Sequence, residues 1–224
     1  MMKRSRLFTS HLMAIIAFSV CASLSSAQTK MAQPCQSKEP PALRGFFLGQ
    51  TVDEIDLIIP NFREAFVKSE PINPIDKQVG ATFVDSIPLF YKQPGVRQVP
   101  SKEFEDADFF WHFFEGRLYF LVVKYTEFEP PNLQYFIKQV SEKTNLPLNG
   151  WVLQDKYHAS MKCIGFKIEL WTGRDIGRPE YQDYPTIYLT DVVAEAEIKR
   201  RRDAIEQRKK NEERERIRRE REKS

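Results

Sequence analysis

An α+β fold is predicted, an antiparallel sheet with helices on one face, followed by a C-terminal charged helix. Three observations carry this reading. Two helical segments are each followed by three β-rich runs; those runs alternate apolar with polar residues; and one pair of them is joined by a two-residue Glu-Gly turn. The order helix and three strands, met twice, gives two α-β-β-β units. The chain divides into a signal peptide (1–27), a linker (28–42), an α+β domain (43–191) and a charged helical tail (192–224).

Lys3, Arg4 and Arg6 precede the apolar run Leu12–Leu24, and Ser25-Ser26-Ala27 then sets small residues before Gln28. That order is a secretory signal peptide, and its apolar run is too short to span a bilayer. Val20 makes Cys21 a poor lipidation site. Cleavage after Ala27 leaves Cys35 and Cys163, an even pair in an oxidising compartment, so a Cys35–Cys163 disulfide is expected, with two free thiols as the alternative. The following linker is polar and Pro-containing.

Thr51-Val52-Asp53-Glu54 has the form of a capping box at a helix start. Ile55, Ile58, Ile59 and Phe62 follow at helical spacing, and Pro60 ends or kinks that helix. Gly80–Tyr91 reads as a strand and Gln93–Asp106 as a loop.

Asp108–Tyr125 holds the strongest local signal, two β-rich runs around Glu115-Gly116. A two-residue turn pairs Phe113 with Leu118, Trp111 with Phe120 and Phe109 with Val122 on an apolar face. The other face then carries Phe110, His112, Phe114, Arg117, Tyr119 and, at its flank, Tyr125. A bulge at Gly116 is the alternative, and it would mix the two faces. Asn132 caps the next helix, whose stripe is Leu133, Phe136, Ile137 and Val140. Trp151–Tyr157, Met161–Thr172 and Tyr184–Asp191 are the remaining strands.

The tail from Ala194 to Ser224 holds thirteen Lys/Arg and nine Asp/Glu, net +4, while Gln28–Val193 has 18 basic and 22 acidic residues, net −4. Basicity therefore belongs to the tail alone. Pairs such as Glu197–Arg201 and Glu215–Arg219 support a solvated helix, and Ile217 is too isolated to make a coiled-coil seam. The sharper reading is a contact with an anionic membrane or cell-wall polymer. Nucleic acid is the weakest of the tail's candidate partners, since export removes the protein from the cell's own.

No Gly-x-Ser-x-Gly, His-Glu-x-x-His, phosphate-binding loop or Cys-x-x-Cys occurs. Cys35, His112, His158 and Cys163 match no common zinc spacing, and a disulfide consumes both thiols. Glu103, Glu105, Asp106 and Asp108 lack the turn of a Ca²⁺ loop. No metal and no cofactor is expected. A His112–Asp108 pair on one hairpin face is the nearest approach to an acid–base site, with no nucleophile beside it.

Leu48-Gly-Gln-Thr-Val-Asp-Glu-Ile55, followed by strands and a Phe-Phe-Glu-Gly-Arg-Leu hairpin, resembles the BamE/SmpA-like group of small exported bacterial domains. The doubled helix-plus-sheet order is similar to the tandem arrangement of β-lactamase inhibitory proteins. The resemblance implies a fold and a setting, the periplasm or exterior of a Gram-negative bacterium, and transfers no binding residue.

The expectation is an exported, non-enzymatic binding or scaffold module. Its partner is a protein or cell-envelope component met through Phe110, His112, Phe114, Arg117, Tyr119 and Tyr125, whose residue types favour interfaces. The competing readings are a small periplasmic hydrolase using His112 or His158, a tail-mediated anionic-surface binder, and a tail that covers the hairpin face within the monomer.

Overall fold

The computed structural model describes residues 35–69, 74–85, 87–91, 96–99, 101–173 and 184–223. The signal peptide, Cys21 and the linker up to residue 34 lie outside the described residues. Seven strands form one antiparallel sheet: β1 (Ala81–Asp85), β2 (Ala107–Phe114), β3 (Arg117–Tyr125), β4 (Val152–Leu153), β5 (His158–Lys162), β6 (Phe166–Trp171) and β7 (Thr186–Asp191). Their order is β1-β2-β3-β7-β6-β5-β4. Each half of the chain builds its own run of neighbouring strands, and the two runs join where β3 pairs with β7.

The first half opens with three short helices, α1 (Val52–Asp56), α2 (Phe62–Lys68) and α3 (Pro74–Val79), and adds α4 (Ile87–Phe90) after β1. The second half opens with α5 (Leu133–Thr144), and α6 (Val192–Lys223) ends the chain. The capping box forms at α1: the Glu54 amide donates to the Thr51 hydroxyl, and the Thr51 amide donates to the Glu54 carboxylate. Pro60 then breaks the apolar stripe into two helices, with Asn61 in the left-handed region (φ 70°) between them. Asn132 caps α5 by accepting from the Tyr135 amide, and Leu133, Phe136, Ile137 and Val140 are its buried face.

Three strand limits differ from the sequence reading. Gly80–Tyr91 is a strand only over β1, because Pro88 has no amide for a ladder and fits the first turn of α4 instead. Trp151–Tyr157 keeps only β4, since the Asp155 carboxylate accepts from the Tyr157 and His158 amides and turns the chain. Met161–Thr172 is two strands: Gly165 (φ 87°) supplies a turn that pairs Lys162 with Lys167. Ile164 stands at that turn and is exposed.

The main core lies between one sheet face and helices α1, α2 and α5. Trp111, Phe109 and Phe113 of β2 meet Phe46 and Phe62 at ring-centroid distances of 5.1–5.9 Å. Phe136 and Ile137 of α5 join Phe166, Ile168 and Leu170 in the same cluster. Residues 35–41 are a strap and not a free linker. The sulfurs of Cys35 and Cys163 stand at disulfide distance (2.10 Å, Cα–Cα 4.6 Å), and the Ile164 amide donates to the Ser37 carbonyl.

Helices α3 and α6 pack on the opposite face. Asp191 starts α6 by accepting from the Val193 and Ala194 amides. Ile198, 3% exposed, enters a second cluster with Val79 and Ala81, flanked by Ile75, Phe114, Tyr119 and Ile205. Arg201 lies 4.8 Å over the Phe114 ring and 2.7 Å from Glu115, and Arg202 pairs with Asp76 of α3. From Glu206 to Lys223 every residue is exposed, so about 27 Å of single helix stands in solvent.

Candidate functional site

The sheet face opposite the main core carries the candidate site. Side chains alternate along each strand, so Phe83, Phe110, His112, Phe120, Val122 and Tyr188 share this face. All six are half-buried. Cross-strand register brings their rings into one row: Phe83 and Phe120 each lie 4.8 Å from His112, Phe110 stacks near Phe83 (6.2 Å), and Tyr188 stacks near Phe120 (6.2 Å). Beyond Tyr188 the row turns polar, with Glu169 opposite it and Ser160 opposite Glu169.

The hairpin turn forms as expected, with Glu115 and Gly116 both at positive φ (51° and 75°), the pairing needed for a two-residue turn. The register does not hold beyond Phe113–Leu118. A bulge places both Tyr119 and Phe120 opposite His112, so Trp111 faces Leu121 and Phe109 faces Val123. This reverses β3 from Phe120 onward. Phe120 and Val122, expected inward, belong to the outer face, while Leu121, Val123 and Tyr125 turn to the helix side.

Of the six expected binding residues, the fold brings Phe110 and His112 together in the aromatic row. Phe114 and Tyr119 share this face but lie beneath α6 and α3. Arg117 sits at the turn and donates to the Gly49 carbonyl at 3.1 Å. Tyr125 is on the other side of the sheet, against Phe128, Phe136 and the Arg44 guanidinium. Phe83, Phe120 and Tyr188 were not expected there. The alternation of Tyr188 with Ile187 and Leu189 already carried that signal.

His112 is nearly enclosed by rings. Burial pushes its imidazole down to about 4, with Arg202 acting in the same direction and Asp76 against it. The unfolded chain takes up this proton near pH 6.5 and the folded chain only near 4. Stability is therefore complete above pH 6.5 and falls as pH drops from 6.5 towards 4, by about 3 kcal/mol at the limit. Denaturant titrations at pH 7 and pH 4.5 should show a smaller acid loss in His112→Gln than in the native chain. Equal losses would contradict this burial.

The histidines do not assemble a recognisable acid–base–nucleophile set among the described residues. Asp108 is 3.5 Å from Arg97, and three strand residues separate it from His112. His158 Nε2 is 3.6 Å from Glu169 Oε1, but Glu169 also binds Lys167 at 2.8 Å, and the Ser160 hydroxyl accepts from Gln154. No group of three or more His, Cys, Asp or Glu among the described residues is arranged to hold a metal ion. Among them also, no helix is long and apolar enough to cross a membrane. Compared with protein-family models, curated proteins and solved structures, the chain gives no match.

Proposed function

We propose that the chain is an exported, non-enzymatic binding or scaffold module that meets a protein of the cell envelope through its outer sheet face. One observation carries this reading: a part-buried aromatic row running from Phe83 through His112 and Phe120 to Tyr188. Aromatic side chains offer large contact area at small entropic cost, and they concentrate where binding energy resides. The rows are locked by a sheet whose other face is a packed core, so little ordering is left to be done on binding.

The signal-peptide pattern supports export, and a Cys35–Cys163 disulfide fits an oxidising compartment. The short resemblance to BamE/SmpA-like domains, carried by Gly49-Gln-Thr-x-x-Glu54, points to the same setting. The free length of α6, net +3 from Glu206 to Lys223, favours a second contact with an anionic envelope surface.

A double variant Phe120→Ala/Tyr188→Ala tests the face. Capture of the envelope partner by the purified mature chain is expected to weaken about tenfold or more. Tyr135→Ala on the exposed side of α5 is expected to leave it unchanged. Equal capture by all three proteins would contradict the assignment.

A further inference from the structure

β1 is the terminal strand of the sheet, and a cleft of about 690 Å³ lies between its outer edge and α2. Ala65, Leu89 and Val99, each partly buried against the main core, give the cleft an apolar floor, and the charged Glu64, Lys68 and Asp85 line it as well. The phase of the ladder settles what the edge presents. The Glu115 amide donates to the Gly80 carbonyl, so Gly80, Thr82 and Val84 bond towards β2, while Ala81 and Phe83 turn their amides and carbonyls outward. No described residue bonds to the outward groups of Phe83.

We propose that this edge receives an extended peptide segment of the partner, added as an eighth strand between β1 and α2. The inference rests on the contact reading above and names the form of the partner. An in-line amide and carbonyl beside a cleft with an apolar floor are matched by a strand whose backbone pairs with Phe83 and whose alternate side chains enter the cleft. The side chains on its other face adjoin the Phe83 ring and continue the aromatic row. Ala65, Leu89 and Val99 favour apolar residues at the inward positions that meet them.

The probe is a library of acetylated, amidated seven-residue peptides in which apolar residues alternate with Ser or Thr, read by fluorescence anisotropy. Phe83→Ala keeps the outward amide and loses the ring. Phe83→Pro loses both, and an edge strand tolerates it where the amide faces outward. Library peptides are expected to bind Phe83→Pro about tenfold more weakly than Phe83→Ala. Methylating the peptide amides along one edge should cost a similar factor with the native chain, which needs no variant to fold.

Equal binding by the two variants together with harmless methylation overturns strand addition. If that binding still falls in Phe120→Ala/Tyr188→Ala, the outer-face reading survives alone. No binder at about 1 mM overturns the peptide site, whatever the envelope capture shows. Self-association that Phe83→Pro abolishes assigns the edge to a second copy and likewise overturns it.

Discussion

Replacing Trp111 with Ala is expected to lower the unfolding free energy by about 3–5 kcal/mol, the range for a large aromatic in a packed interior. Trp111 is wholly buried at the middle of β2. Its ring lies 5.1 Å from Phe62 of α2, and 5.5 Å from both Phe46 and Phe109. Those neighbours are aromatic rings held by other contacts, so the vacated space collapses poorly and the cavity cost is nearly complete. The Trp111 indole N–H has no hydrogen-bond partner among the described residues, so the loss is packing alone. Urea unfolding of the native chain and Trp111→Ala measures it, and a loss under about 1 kcal/mol would contradict this core.

Breaking the Cys35–Cys163 link should have the second large effect, a loss of about 2–5 kcal/mol. The two residues are 128 apart in sequence, so the link closes a long loop and removes much freedom from the unfolded chain. A bond there would also pin the strap at 35–41 to the β5–β6 turn. Reductant should lower the midpoint of the native chain and leave Cys35→Ala/Cys163→Ala unmoved, with both ending at the same value. A native chain indifferent to reductant would show that the two thiols are not joined in the mature protein.

Local chemistry was the legible part of this sequence. The Thr51–Glu54 box, the Asn132 cap with its apolar stripe, and the Glu115-Gly116 turn each act within a few residues, and each forms as read. The α+β class follows from the same short-range patterns, whereas the second of the two expected α-β-β-β units carries four strands, because Gly165 divides one expected run. What escaped depends on phase or distant packing. Leu118-Tyr-Phe-Leu-Val-Val123 is an uninterrupted apolar run, so no polar residue marks which side chains point inward, and the bulge at Tyr119–Phe120 leaves no trace. Tyr125 was assigned to the wrong face for that reason alone.

The docking of α6 depends on two isoleucines seven residues apart, Ile198 and Ile205, among thirteen basic side chains. Spacing places them on one helix face, but only the fold supplies Val79, Phe114 and Tyr119 to receive them. The expected site was thus divided: α6 covers its Phe114–Tyr119 end, and the part-buried remainder extends across β1, β3 and β7 instead. A single strand pair suggested the surface, and the sheet order enlarged it.

Site-specific photocrosslinking in the producing cells tests the central claim most directly. A photoreactive residue is placed at position 120 on the outer face or at position 135 on α5, and adducts are recovered with the mass of the chain itself. The account gives a discrete adduct from position 120, none from position 135, and chain material that begins at Gln28. An intact leader on cytosolic chain, or equal labelling from both positions, would contradict it.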